Sequence, residues 1–167
     1  QYDPTNRQIT WTIIANHMEA PLNGVVIRDE LPIGLTFSHA EWSEWNGTTW
    51  VPKGTFNAEP LDHEYVIGDI NSKIMLEIVA DVPDEAYTTG QTTYTNTAIL
   101  SRTGYQGQGP GISSGGVPVT IGFNAITKSG TPHPSDRKVK WTVTVDTMEQ
   151  VIPDLKIYDL LVYGNQD

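Results

Sequence analysis

The stretch Ile9-Thr10-Trp11-Thr12-Ile13-Ile14-Ala15 decides the fold. Apolar and polar side chains alternate along it with a period of two, the mark of a half-buried strand, and Ile9, Trp11 and Ile13 share one face. The same pattern returns 130 residues later, around Trp141. Residues 6–34 align without gaps on residues 136–164, and nine of the 29 positions are identical. The identities are Arg7/Arg137, Trp11/Trp141, Thr12/Thr142, Met18/Met148, Glu19/Glu149, Ile27/Ile157, Asp29/Asp159, Leu31/Leu161 and Gly34/Gly164. Conservative pairs such as Ile9/Val139 and Ile13/Val143 keep the strand faces. A period this long is too great for a solenoid unit and suits one sandwich domain per repeat.

The repeat divides the chain into residues 1–122, one domain whose first strand is expected to be missing, and residues 123–167, the opening strands of the next. Residues 123–130 have no counterpart before Gln1, so the chain reads as starting within a domain. Half a sandwich exposes its core face and an open sheet edge. The tail is therefore expected to fill the gap in the first domain or to be supported by another chain, as in a strand-swapped homo-oligomer. Trp11 and Trp141 are both expected in a core.

Outward from this stretch the period stays at two. Val25 to Asp29 reads as a strand ended by Pro32 and Gly34, and Leu35 to Glu44 as the next. Asn46-Gly47 signals a two-residue hairpin loop, which would set Trp45 opposite Thr48 and Ser43 opposite Trp50. Ile74 to Ala80, Thr92 to Leu100 and Val117 to Thr127 are further strands, with a glycine-rich loop over 104–116. One short helical turn is expected near Asp81 to Tyr87. Strands at such spacing without helices between them predict an all-β sandwich, because two half-apolar sheets must cover each other's inner faces.

Composition narrows the function. Twenty acidic against ten basic side chains leave a net charge of −10, which argues against nucleic acid and anionic membrane surfaces. No apolar run approaches the ~18 residues of a membrane span. The absence of cysteine removes disulfides, thiolate metal sites and a cysteine nucleophile. The four histidines, His17, His39, His63 and His133, are dispersed without metal-ligand spacing. Asp81, Asp84 and Glu85 surround Pro83, yet do not follow a calcium-loop pattern and read as a solvated acidic turn. No metal or cofactor is expected, and nothing singles out an enzyme's catalytic pair or triad. Trp42, Trp45 and Trp50 cluster around one hairpin and are candidates for stacking a sugar or a peptide side chain. Cross-strand packing of the same rings is the simpler reading.

The order Ile9-Thr10-Trp11-Thr12-Ile13, Asn16, Leu22-Asn23, Ile27-Arg28-Asp29-Glu30-Leu31-Pro32 and Gly34-Leu35-Thr36-Phe37 resembles the immunoglobulin-like repeats of Gram-positive surface adhesins and pilins, of the collagen-adhesin type. Tyr94-Thr95-Asn96-Thr97-Ala98 matches a late strand of such repeats, and Lys128-Ser129-Gly130 their opening. The resemblance implies an extracellular, cell-wall-attached module that is not an enzyme. Its partners would be neighbouring repeats and a host matrix protein such as collagen, or a glycan. An accessory domain of a carbohydrate-active enzyme is a third reading.

The resemblance also implies a self-formed isopeptide bond between a lysine and an asparagine, assisted by a buried carboxylate. Carried over, Asn96 is the acceptor and Asp29 the assisting acid of the first repeat. Lys128 is the nucleophile of the second repeat, and Asp159 its acid. The first repeat's own lysine would lie before Gln1, and the second repeat's asparagine beyond Asp167. Lys128 meets Asp29 and Asn96 only if its strand occupies the first-strand position of a first repeat.

Overall fold

The computed structural model describes residues 1–87, 91–102, 111–122, 126–145 and 156–159. Strand β1 (Tyr2–Asp3) turns into β2 (Gln8–Ala15), and β3 (Leu22–Asp29), β4 (Thr36–Trp45), β5 (Trp50–Phe56), β6 (Glu64–Ile70) and β7 (Ile74–Asp81) follow. After a 3-10 turn over Asp84–Tyr87 come β8 (Gln91–Asn96), β9 (Ala98–Arg102), β10 (Ile112–Ser113) and β11 (Val117–Gly122). A separate hairpin, β12 (Ile126–His133) with β13 (Lys138–Val145), ends the described strands.

Two antiparallel sheets form, in the orders β1-β2-β7-β4-β5 and β10-β9-β3-β6, with β8 and β11 pairing beside them. The sheets cover each other because their apolar faces need burial. Ala15, Ala40, Leu76 and Ile78 of the first sheet pack against Val25, Ile27, Tyr65 and Ala98 of the second. A second cluster closes one end, where Ile9, Trp11 and Ala80 meet Tyr94 of β8 and Ile121 of β11. This is the all-β sandwich that the alternation predicts. The turn before β8 is pinned by a Tyr2–Tyr87 hydroxyl contact of 2.7 Å and by an ion pair of Arg7 with Asp84.

Three sequence expectations change. The segment 92–100 is not one strand: it breaks at Thr97, so that β8 pairs with β11 while β9 pairs with β3. The hairpin loop is longer than two residues, and Trp45 lies directly opposite Trp50. Only Gly47 takes a positive φ there (+96°). The Asn46 side chain instead accepts hydrogen bonds from the Thr48 and Thr49 amides, both at 2.9 Å, and so builds the turn from an asparagine oxygen. Strand β6, which is not among the expected strands, completes the second sheet. Its Tyr65 is fully buried, edge-on to Phe56 at 5.2 Å.

The expected filling of the first repeat by the tail does not occur within this chain. β12 pairs along its whole length with β13, because the two strands are joined by a short turn and lie in antiparallel register. Trp141 is consequently 50% exposed, while its counterpart Trp11 is 4% exposed. Among the described residues no second sheet covers the hairpin.

On β5, at the outer edge of the first sheet, Pro52 sits opposite Ser43 and a bulge follows, so that Trp42 pairs with Gly54.

Candidate functional site

Asp29 is the last residue of β3 and Asn96 the last of β8, so the end of one sheet and the crossover between sheets bring them together. Among the described residues they are the buried polar ones, 1% and 3% exposed. The Asn96 Nδ2 donates to both carboxyl oxygens of Asp29, at 2.8 and 3.0 Å. The Asn96 Oδ1 is buried and accepts no hydrogen bond among the described residues. Burial pushes the Asp29 carboxyl up to about 6, since the ion loses its water; the Asn96 hydrogen bonds and the charge of His63 pull it back only in part. A carboxyl poised near neutrality can both give and take a proton.

Tyr65, absent from the sequence-derived candidates, faces the same region. Its hydroxyl is buried without a hydrogen-bond partner among the described residues, and burial together with the Asp29 charge raises its pKa. The Tyr65-Val66-Ile67 run was the available signal, but nothing in it separates a core tyrosine from one beside a carboxylate.

The hairpin of β12 and β13 carries the lysine. Lys128 Nζ lies 2.5 Å from Asp159 Oδ1 and 4.7 Å from the centre of the Trp141 ring. Lys128 is therefore not brought to Asp29 and Asn96, although Asp159 is the repeat counterpart of Asp29.

The two hairpins match residue for residue at the 130-residue offset. Tyr2 pairs with Ile9 and Asp3 with Gln8; Pro132 pairs with Val139 and His133 with Lys138. The turns match as well, with Arg7 and Arg137 both left-handed at φ +55° and +53°. In the second hairpin the strand continues past this point, setting Gly130 opposite Trp141, Lys128 opposite Val143 and Ile126 opposite Val145. In the first repeat the corresponding edge of β2, from Trp11 to Ala15, has no partner strand among the described residues.

Beside that edge lie two cavities of about 330 and 350 Å³ that share Ile13, Ile14, Ala98 and Ser114 in their walls. Asn96 lines the first of them.

The tryptophans divide. Trp42 packs against the main core. Trp45 and Trp50 meet edge to face at 5.2 Å, and Lys73 Nζ sits 4.9 Å from the Trp45 ring centre. Lys53 and Ser72 both bind the Glu44 carboxylate, at 2.9 and 3.1 Å, closing a lattice around the hairpin. Trp45→Ala is expected to lower unfolding stability by about 1–2 kcal/mol, because it removes an aromatic pair and a cation–π contact together. Denaturant titration checks this; an unchanged midpoint would return these rings to the role of a free platform. Among the described residues no cluster of His, Asp and Glu forms a metal site, and no helix is long and apolar enough to cross a membrane.

No family model and no curated protein sequence matches the chain. Among solved structures it is similar to the collagen-binding subdomain of the Enterococcus faecalis surface protein ACE, with a TM-score of 0.40 and 9% identity. That similarity covers 68% of this chain and 85% of the other.

Proposed function

We propose that the chain is a non-enzymatic module of a tandem-repeat bacterial surface protein, extracellular and wall-attached, which extends or presents a binding region. Residues 1–122 form one repeat and residues 123–167 open the next. Each repeat is tied by an amide bond between a first-strand lysine and the asparagine at the position of Asn96.

One observation carries this reading: the two half-sites complete each other at the repeat offset. The first repeat holds the acid and the acceptor, Asp29 and Asn96, in buried contact. The second holds the nucleophile beside the equivalent acid, Lys128 with Asp159. At the repeat offset, a lysine opposite Ile13 falls beside the cavity that Asn96 lines, and Asp29 is held to Asn96 by its hydrogen bonds.

The chemistry follows from burial. A lysine amine attacks only when neutral, and an apolar pocket disfavours its charged form. Its nitrogen bonds to the Asn96 Cγ, the Cγ–Nδ2 bond breaks, and ammonia leaves. The proton released by the attacking nitrogen passes through the Asp29 carboxyl to the departing ammonia. Folding supplies the effective concentration of the reacting groups.

Placing the sequence of residues 123–130 directly ahead of Gln1 puts a lysine third before Gln1, at the offset position of Lys128. The denatured mass of this extended chain is expected to fall short by one ammonia, and Asn96→Ala should restore the full mass. A full mass in the extended chain with Asn96 intact would end the cross-link reading.

A further inference from the structure

Asp29 and Asn96 are buried in the sandwich, and their sequence neighbours Arg28, Glu30, Thr95 and Thr97 are exposed on its outer side. Those four side chains, with Ile33 and Ile99, line a cavity of about 360 Å³. We propose that this face is a self-association surface, on which a second copy of the chain seats antiparallel about a two-fold axis, Arg28 of each copy paired with Glu30 of the other. The contact needs neither the cross-link nor the second hairpin.

Net charge selects the place. At −10, two copies repel one another over most of their surfaces. The basic side chains that could offset this are already engaged: Arg7 binds Asp84, Lys53 binds Glu44 and Lys73 binds Glu19. Arg28 is the exception among the described residues of the sandwich. It is exposed and forms no ion pair there, although Glu64 lies opposite it on β6. Glu30 is likewise exposed and without an ion pair among the described residues.

A free cation and a free anion two residues apart are self-complementary. In extended backbone they stand about 7 Å apart, and an antiparallel copy of the same segment presents them in reverse order. A two-fold axis between them therefore makes two identical pairs at once, the signature of an isologous contact. Arginine's planar fork binds a carboxylate through two parallel hydrogen bonds, which fixes the orientation of the copies as well as drawing them together.

The same face carries apolar surface to bury. Ile33 is 100% exposed, so its side chain gains by leaving water and gives up no contact of its own. The cavity has room for the Ile33 side chain of the opposite copy. The patch is small, so the dimer belongs to the weak, transient class and forms where the local concentration is high.

The test is sedimentation velocity of the full chain from about 10 µM to about 1 mM, in roughly 0.15 M salt. A concentration-dependent monomer–dimer equilibrium is expected. Arg28→Glu and Glu30→Arg should each weaken it about tenfold or more, because like charges then face one another. The double variant R28E/E30R should restore it, since the exchanged pair is again self-complementary and the net charge returns to −10. Glu30→Arg separates pairing from general repulsion: it makes the chain less negative, and general repulsion would then favour the dimer. Thermal midpoints of the variants, all altered at exposed positions, check that each is folded. A chain that stays monomeric at the highest concentration would overturn the surface. Dimers that ignore the single reversals, or that the double reversal does not restore, would overturn the pairing of Arg28 with Glu30.

Discussion

Trp11→Ala is expected to cost about 3–5 kcal/mol of unfolding stability, the range for removing a large aromatic side chain from a core that cannot collapse around the void. Trp11 joins Ile9, Ala80, Tyr94 and Ile121 in the cluster that closes the sandwich at the β8–β11 end. Against a total of roughly 5–15 kcal/mol for an ordinary domain, that loss leaves little or nothing. Trp141→Ala provides the internal comparison. The two residues are repeat equivalents on equivalent strands, but Trp141 is half-exposed in this chain. Its removal is expected to change stability by less than about 1 kcal/mol. Thermal and urea unfolding of the two variants side by side decide the matter: equal losses would mean that the second hairpin acquires a core of its own.

The second large effect is in pH. The Asp29 carboxyl titrates near 6 in the folded protein against 3.8 for the free side chain. Between these values the folded state binds the proton that the unfolded state has released. Raising the pH through that window therefore destabilises the fold, by up to about 3 kcal/mol for this group. The contribution is lost as pH rises, the reverse of an acid held by a salt bridge. Asp29→Asn removes the titration while keeping an amide to meet Asn96. The variant is expected to gain on the parent by about that amount between pH ~4 and ~7.5. Other carboxylates cancel in the comparison. Denaturant midpoints at both pH values check it, and a difference that stays constant with pH would show that burial does not perturb Asp29.

Much of this was legible in the sequence because it depends on period and position. Alternation placed β2, β3, β4 and β7, and the 130-residue repeat set Trp11 beside Trp141 and Asp29 beside Asp159 before any coordinates. Asn96 and Asp29 were singled out by the resemblance, and the structure pairs them. The failures share a cause: they turn on choices between neighbours that local pattern does not encode. Thr92 to Leu100 contains no glycine or proline to break it, yet the chain changes sheets at Thr97 because β8 finds β11 and β9 finds β3. The Asn46-Gly47 pair signals a tight turn, but the asparagine oxygen satisfies two amides and draws the loop out, so Trp45 pairs with Trp50. Lys128 was expected to seek the first repeat; the short connection of β12 to β13 gives it a partner nearer in the chain, and Asp159 with it.

The proline and bulge on β5 bear on how copies behave when crowded. An outermost strand normally offers a row of free amides and carbonyls to any neighbour. Pro52 lacks the amide, and the bulge beside it breaks the regular spacing of the rest. Lateral zippering of one sheet onto the next is blocked on that flank. Where crowded copies meet along that flank, they touch without fusing into a continuous cross-β ribbon.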